Sequence, residues 1–444
     1  MKGTVPILTL TGTTKVMSRP YETQSMKERF QTALRRWKDF FILIIAAAIV
    51  GAVIGTIGAA FAFTLDKVTA FRLQNSWLLF GLPFAGFIII ALYKWMLHGQ
   101  KDGGTNIVLS AIHSNDEIPL AMAPLIFIST AITHLVGGSA GREGAALQLG
   151  GSIGNAFARL VKADRQQKST LIMCGMSAAF SALFGTPMAA ALFPIEVVSV
   201  GIMHYNVLLP NVVAALVARG IAAQFGLEPE VFDLGSFAPF GVESGIRISI
   251  LAILCGIGSI LFVLALHYGK HYARIIKNEY LRLFVGGSIV LVLSLIEGHQ
   301  TYNGAGMQIV ELAFEDPMKG WVFLLKILFT ALTLSVGYRG GEIVPTLFIG
   351  ATLGSALSTV VGLPVGLCAA VGMVSLFCSA TNCPLTSLLI AFELFGYEAM
   401  PYYLLAVSIS FLVSGYHGLY SSQRIVYSKY KSTYINRQVS EEYK

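Results

Sequence analysis

The sequence predicts an all-α integral membrane protein of two related halves, with broken and tilted helices around a central site. Three observations carry this. Of 444 residues, 55% are hydrophobic and 12% charged, against roughly 25% charged in soluble domains. A glycine-rich segment with one glutamate interrupts an apolar run twice, about two hundred residues apart. Lys and Arg gather toward the two ends. The first interruption is Gly137-Gly138-Ser139-Ala140-Gly141-Arg142-Glu143-Gly144, followed by Pro187 and Glu196. The second is Gly337-Tyr338-Arg339-Gly340-Gly341-Glu342-Ile343-Val344-Pro345, followed by Pro384 and Glu393. Matched interruptions in corresponding positions point to a transporter built from internal repeats, with its site where the breaks meet.

Residues 1–37 lack the compact apolar core and small-residue cleavage site of a signal peptide and read as a cytoplasmic tail plus interfacial helix. The segment Phe40 to Leu65 carries no charge and is long enough to cross about 30 Å of hydrocarbon with tilt. Further candidate spans are Trp77 to Tyr93, Ile118 to Val136, Val207 to Val217, Ile248 to Leu266, Phe284 to Ile296, Trp321 to Val336, Leu363 to Phe377 and Tyr402 to Tyr416. Several are shorter than a full crossing, which predicts tilted or partial helices. The polar, proline-containing Phe225 to Val242 segment joins the halves. The expected organisation is a membrane domain over 38–425, with halves of about 38–224 and 243–425, and a cytoplasmic tail over 426–444.

The net charge of +7 is no nucleic-acid signature. Lys27, Arg29, Arg35, Arg36 and Lys38 precede the first span, and Arg424, Lys429, Lys431 and Arg437 follow the last. By the positive-inside tendency both termini are cytoplasmic, the number of crossings is even, and the basic ends also suit anionic lipid. The expected location is a bacterial cell membrane. Cys174, Cys255, Cys368, Cys378 and Cys383 stand in apolar context without a C-x-x-C pair. They read as packing residues, with no disulfide framework, metal site or cofactor. No nucleophile–base pair or ligand cluster speaks for an enzyme. The Gly51 to Gly55 and Gly150 to Gly154 spacings predict close helix contacts.

A helix that starts inside the membrane presents unpaired N–H groups and a positive dipole end, which suit an anion. Such irregular backbone must be buried in protein or line an aqueous cavity. A carboxylate at that start, Glu143, can occupy the anion's place until protonation frees it, which couples anion and proton movement. The blander alternative leaves Glu143 as a first-turn residue held by the dipole or by Arg142. Glu342, in the second break, could accept a proton or bond a neighbouring donor, or else cap its helix or pair with Arg339. His134 reads as a packing residue.

Gly141-Arg142-Glu143-Gly144 with Gln148-Leu149-Gly150-Gly151-Ser152-Ile153-Gly154 resembles the G-R-E-G segment of the CLC family of anion channels and anion/proton antiporters. Phe184-Gly185-Thr186-Pro187 through Phe193-Pro194-Ile195-Glu196, Gly340-Gly341-Glu342-Ile343-Val344-Pro345 and Leu419-Tyr420-Ser421 extend the resemblance over about residues 40 to 425. It implies a CLC-type fold of two inverted-topology repeats and a homodimer with one pore per subunit. It also implies Glu143 as the gating, proton-carrying glutamate and Tyr420 as a hydroxyl donor to the central anion. The anion-binding set it implies is Thr105, Asn106, Gly141, Arg142, Gly144, Glu342, Ile343, Val344 and Tyr420.

The departures bear on the substrate. Chloride and nitrate members usually read G-S-G-I-P or G-P-G-I-P where this chain has Gly104-Thr105-Asn106-Ile107-Val108. The asparagine and Glu342 are similar to the fluoride-exporting branch, although that branch often has methionine at Thr105 and threonine at Val344. Val197 stands where chloride/proton exchangers carry a second glutamate. Glu196 and Glu393 therefore read as structural anchors at helix ends. The expected function is fluoride/proton antiport, with fluoride or chloride and protons as the ions. The alternative is a chloride channel or chloride/proton antiporter of the same family.

Overall fold

The computed structural model describes residues 26–100, 103–114 and 116–443. The expected tail over residues 1–25 lies outside the described residues. Of the described residues, one unit ends at Leu43 and a second begins at Ile44. Within the first unit the helix exposes Phe30, Leu34, Trp37, Phe40 and Phe41, and Trp37 meets Phe40 edge-on at 6.1 Å.

Among the described residues the chain forms sixteen α-helices in two matching series. The first runs α1 (Met26–Gln74), α2 (Leu82–Leu97), α3 (Thr105–His113), α4 (Met122–Leu135), α5 (Glu143–Leu160), α6 (Arg165–Phe184), α7 (Pro187–Val198) and α8 (Leu208–Gln224). The second runs α9 (Val242–Ala273), α10 (Glu279–Glu297), α11 (Met307–Glu315), α12 (Val322–Val336), α13 (Ile343–Val361), α14 (Val365–Thr381), α15 (Pro384–Phe395) and α16 (Met400–Val413). Short members agree in length: α3 and α11 have 9 residues each, and α7 and α15 have 12. The joining segment lies between α8 and α9, where its composition placed it.

The breaks follow from local chemistry. Gly137 ends α4 at φ +86 and Gly337 ends α12 at φ +119, in the region an L side chain rarely enters. Pro187 and Pro384 open α7 and α15, where a missing N–H costs nothing. Lipid-facing helices show apolar stripes: Val242, Ile246, Ile250, Ile253, Ile257 and Leu261 of α9 are all exposed.

Helices α5 and α6 escaped the hydropathy reading because glycine and hydroxyl residues fill them, whereas α13, also left out, has a mean hydropathy of 1.6, high enough for a membrane span. They are buried by protein, and glycine lets their backbones touch. A Cβ on Gly150 would stand 2.1 Å from Gly175 O, and one on Gly354 would stand 2.0 Å from Cys368 O. The expected contacts at Gly51 and Gly55 are also present, with Cβ positions 2.6 Å from Ala214 O and 2.9 Å from Ala218 Cα. Repeat partners pack on one another, α2 on α10 and α7 on α15.

Instead of continuing as a tail, the chain after Tyr420 folds back. Strand β1 (Ser199–Val200) pairs in parallel with β2 (Arg424–Tyr427), which pairs antiparallel with β3 (Tyr434–Gln438). Val200, Ile425 and Val439 are buried between them. The His267 ring, near the end of α9, stacks on Tyr443 at 3.7 Å. The joining segment meets the start of this helix at Val242, so it and the Tyr443 contact lie about 38 Å apart along it.

The α7–α15 contact is reciprocal. Glu196 accepts from Leu385 N at 3.0 Å, Thr386 N at 2.7 Å and Thr386 Oγ1 at 2.6 Å. Glu393 accepts from Met188 N and Ala189 N, both at 2.9 Å. Each carboxylate thus caps the other half's proline helix, as its anchor reading required. Glu196 is buried and serves three donors, whereas Glu393 is half-buried and serves two. Glu196→Ala should therefore lower stability by about 2–4 kcal/mol and Glu393→Ala by about 1 kcal/mol. Unfolding of the purified variants checks this, and equal losses would contradict it.

Candidate anion site

The two glycine-rich breaks meet. Gly141 N donates to Gly341 O and Gly341 N donates to Gly141 O, both at 2.7 Å, as an isolated antiparallel bridge. Side chains are excluded around it. A Cβ on Gly341 would stand 2.4 Å from Gly144 N, one on Gly144 2.8 Å from Gly341 Cα, and one on Gly141 2.9 Å from Val344 Cβ. Threonines brace the crossing from both halves. Ser139 N donates to Thr333 Oγ1 at 3.1 Å, and Arg339 N donates to Thr133 Oγ1 at 3.3 Å. Neither threonine was singled out from sequence, though each stands four residues before its break glycine, Gly137 or Gly337.

This crossing sets the starts of α5 and α13 side by side. The first helical bonds run from Ala146 N to Arg142 O and from Thr346 N to Glu342 O. The N–H groups of Gly144, Ala145, Ile343 and Val344 therefore lie ahead of the helical ladders, available to an anion. Pro345 has no N–H to add.

Glu143 is 1% exposed. Its Oε1 accepts from Arg142 Nε at 3.2 Å and its Oε2 from Arg142 N at 3.1 Å. Arg142 reaches on to Asp66 at 3.4 Å and Glu230 at 3.2 Å. The carboxylate is thus turned toward the side of the joining segment, in the local pairing the sequence allowed. Asp66 and Glu230 were not anticipated, being remote in sequence with no motif around them.

Glu342 makes no cap bond to α13, and its buried Oε2 has no hydrogen-bond partner among the described residues. That oxygen lies 3.1 Å from the position of a Cβ on Gly144, so it faces the start of α5. The Arg339 guanidinium lies over the Tyr93 ring at 4.2 Å. The buried Tyr420 Oη also has no partner among the described residues and lies within electrostatic reach of Glu342 and Glu143.

Thr105 opens α3, and its Oγ1 donates to Gly144 O at 3.3 Å while accepting from Gln148 Nε2 at 3.1 Å. Asn106 points elsewhere: its Oδ1 accepts from Ser422 N at 3.0 Å, tethering the segment that carries Tyr420. The structure therefore gathers Thr105, Gly141, Gly144, Glu342, Ile343, Val344 and Tyr420, with Arg142 turned toward the other side and Asn106 behind the tyrosine. Gln148, quoted for its motif alone, proves to hold Thr105.

Beyond the tyrosine, the hairpin is fastened to the ends of α14 and α16. Lys429 Nζ donates to Asn382 Oδ1 at 2.5 Å, Phe411 O at 3.0 Å and Ser414 Oγ at 3.0 Å. Burial lowers its pKa from the usual 10.5 to about 7. His134, read as packing, is buried, but its Nε2 has no partner among the described residues.

Comparisons with known proteins agree with this geometry. The family described as "Voltage gated chloride channel" matches residues 85–415. A "Chloride/fluoride channel protein" of Pseudomonas syringae pv. tomato is 36% identical over 392 residues, covering 86% of this chain and 86% of the relative. The crystal structure of a CLC-type fluoride/proton antiporter superposes with a TM-score of 0.84 at 30% identity, covering 87% of this chain and 98% of the other. A slow cyanobacterial Cl-/H+ antiporter superposes with a TM-score of 0.73 at 22% identity, covering 84% and 94%. By its matched segment, its identity to a relative and the meeting of its two breaks, the chain belongs to the CLC, or voltage gated chloride channel, family of membrane proteins.

Proposed function

We propose that the protein exchanges fluoride for protons across a bacterial cell membrane and so exports fluoride, working as a homodimer with both termini cytoplasmic. The observation that carries this is the composition of the buried centre. Two carboxyl groups, Glu143 and Glu342, and the phenol of Tyr420 surround the free amides of α5 and α13, and Glu342 Oε2 and Tyr420 Oη lack partners among the described residues. Fluoride is small and a strong hydrogen-bond acceptor, so protonated carboxyl and phenol donors compensate its lost hydration better than an apolar lining does. The names borne by the 36% identical relative and the 30% identical structure support the same ion.

In this reading, Glu143 alternates between two positions. Ionised, it competes for the amides at the break, because a helix start favours any negative charge. Protonated, it loses that attraction and leaves the amides to the transported anion, carrying its proton toward the Arg142 side. There Arg142, with Asp66 and Glu230 behind it, favours the ionised form, so the withdrawn glutamate gives up its proton on that side. Thr105 and Val344 set the width and polarity of the passage, and Asn106 positions Tyr420 through Ser422. The basic segments at both ends orient the chain in an anionic bilayer.

Ion flux from liposomes holding the purified protein, with fluoride and chloride compared under imposed pH gradients, tests the reading. Fluoride should drive proton movement, whereas a current reversing at the chloride potential whatever the pH gradient would identify a chloride channel. Chloride-driven proton movement without fluoride selectivity would identify the chloride antiporter. Glu143→Gln should abolish the proton component while the protein stays folded, and persistent coupling would remove Glu143 from its role. Tyr420→Phe should raise the fluoride half-saturation by about fivefold, the worth of about one hydrogen bond. Unchanged transport would exclude the tyrosine.

A further inference from the structure

On the joining-segment side of the breaks, a cleft of about 510 Å³ is lined by Arg72, His134, Arg142, Asn303, Gly306 and Gln308, among others. Arg72, in the last turn of α1, is 2% exposed. It donates one hydrogen bond, from Nη1 to His134 O at 3.2 Å, and its Nε has no partner among the described residues. The Nη1–Nη2 edge of its guanidinium meets a tight loop end-on, since a Cβ on Gly304 would stand 3.3 Å from both Nη1 and Nη2 and 3.7 Å from Cζ. Gly304 has φ +62, which suits glycine.

That loop is pinned to the first break and to a second buried cation. Asn303 Nδ2 donates to Gly137 O at 2.5 Å and Gly304 N to Gly138 O at 3.0 Å. Lys326 is fully buried, and its Nζ donates to Tyr302 O at 3.2 Å and Gly304 O at 2.8 Å. Among the described residues no salt bridge joins Arg72 or Lys326 to a carboxylate. A buried cation without a counter-charge is expensive. The cleft therefore presents the Arg72 charge and the first N–H groups of α11, while Asp66, the carboxylate on its lining, pairs with Arg142 rather than with Arg72.

Helix α11 begins at the end of this loop, after Gly306 at φ +81 and without a side-chain cap. It is the repeat counterpart of α3, whose start bears Thr105. The relation between the halves thus places one helix start on each side of the central glutamates, α3 toward the hairpin and α11 in this cleft.

We propose that the cleft is a separate binding station for a small monovalent inorganic anion, held by Arg72 and the first N–H groups of α11. It receives the anion on the joining-segment side of Glu143. This rests on the chain's reading as a halide transporter, and Arg142, lining the same cleft, links the station to the withdrawn glutamate. The station needs no titratable carboxylate and takes any halide that fits.

Bromide soaked into crystals of the full chain supplies an anomalous signal independent of transport. A peak beside Arg72 Nε is expected, lost in Arg72→Gln. No peak at saturating bromide, or one that survives in the variant as an adventitious ion only, would overturn the proposal. In liposomes, Arg72→Gln and Gln308→Glu should each raise the fluoride half-saturation about tenfold with the maximal rate kept. Gln308 is exposed, so its variant remains informative if the buried substitution impairs folding. Wild-type half-saturation in the folded variants would also overturn the station. A wild-type protein that moves no halide would defeat the transport reading instead, and bromide density beside Arg72 would then decide for or against the cleft by itself.

Discussion

Two amide hydrogen bonds between Gly141 and Gly341 are the constraint on which the rest of the molecule turns. A helix interrupted within a membrane exposes N–H and C=O groups that lipid cannot satisfy. Here each interruption satisfies part of the other. The mutual bridge is possible only because Gly141, Gly144, Gly340 and Gly341 carry no side chains; a Cβ on Gly340 would stand 2.4 Å from Ala140 Cβ. Once the bridge forms, the starts of α5 and α13 lie together. Their remaining N–H groups then have no protein partner among the described residues, an arrangement that suits negative charge.

The same reciprocity recurs at every level of the fold. Thr333 accepts from the first break and Thr133 from the second. Glu196 caps α15 and Glu393 caps α7. Glycines close the α5–α6 pair and, independently, the α13–α14 pair. Each half therefore supplies what the other lacks, and the axis between them runs through the breaks. Helices that would be unfavourable in lipid, rich in Gly, Ser and Thr, become the interior.

Charge is divided across this axis. The centre holds carboxyl and phenol groups with spare hydrogen-bonding capacity, Glu342 and Tyr420, beside Glu143. The joining-segment side holds Arg72, Arg142 and Lys326, of which only Arg142 pairs with carboxylates among the described residues. The hairpin side is closed by neutral bonds from Asn106, Gln423 and Asn382, together with Lys429.

A family resemblance pointed to Thr105 and Tyr420, whereas the sequence by itself marked two related halves, both breaks with their glutamates Glu143 and Glu342, and a polar joining segment. Those features are local: glycine runs, prolines and an isolated acid leave a mark within a few positions, and the repeat doubles each mark. Tertiary structure alone decided the rest. Arg72 meets the Asn303–Gly306 loop, Asn106 turns to Ser422, Glu143 reaches Asp66 and Glu230 through Arg142, and the last residues return as strands to Ser199–Val200. These pairs are far apart along the chain, and none has a periodicity or spacing of its own. Helices α5 and α6 were hidden for a related reason: hydropathy reports exposure to lipid, whereas their burial is by protein, where a small residue serves better than an apolar one.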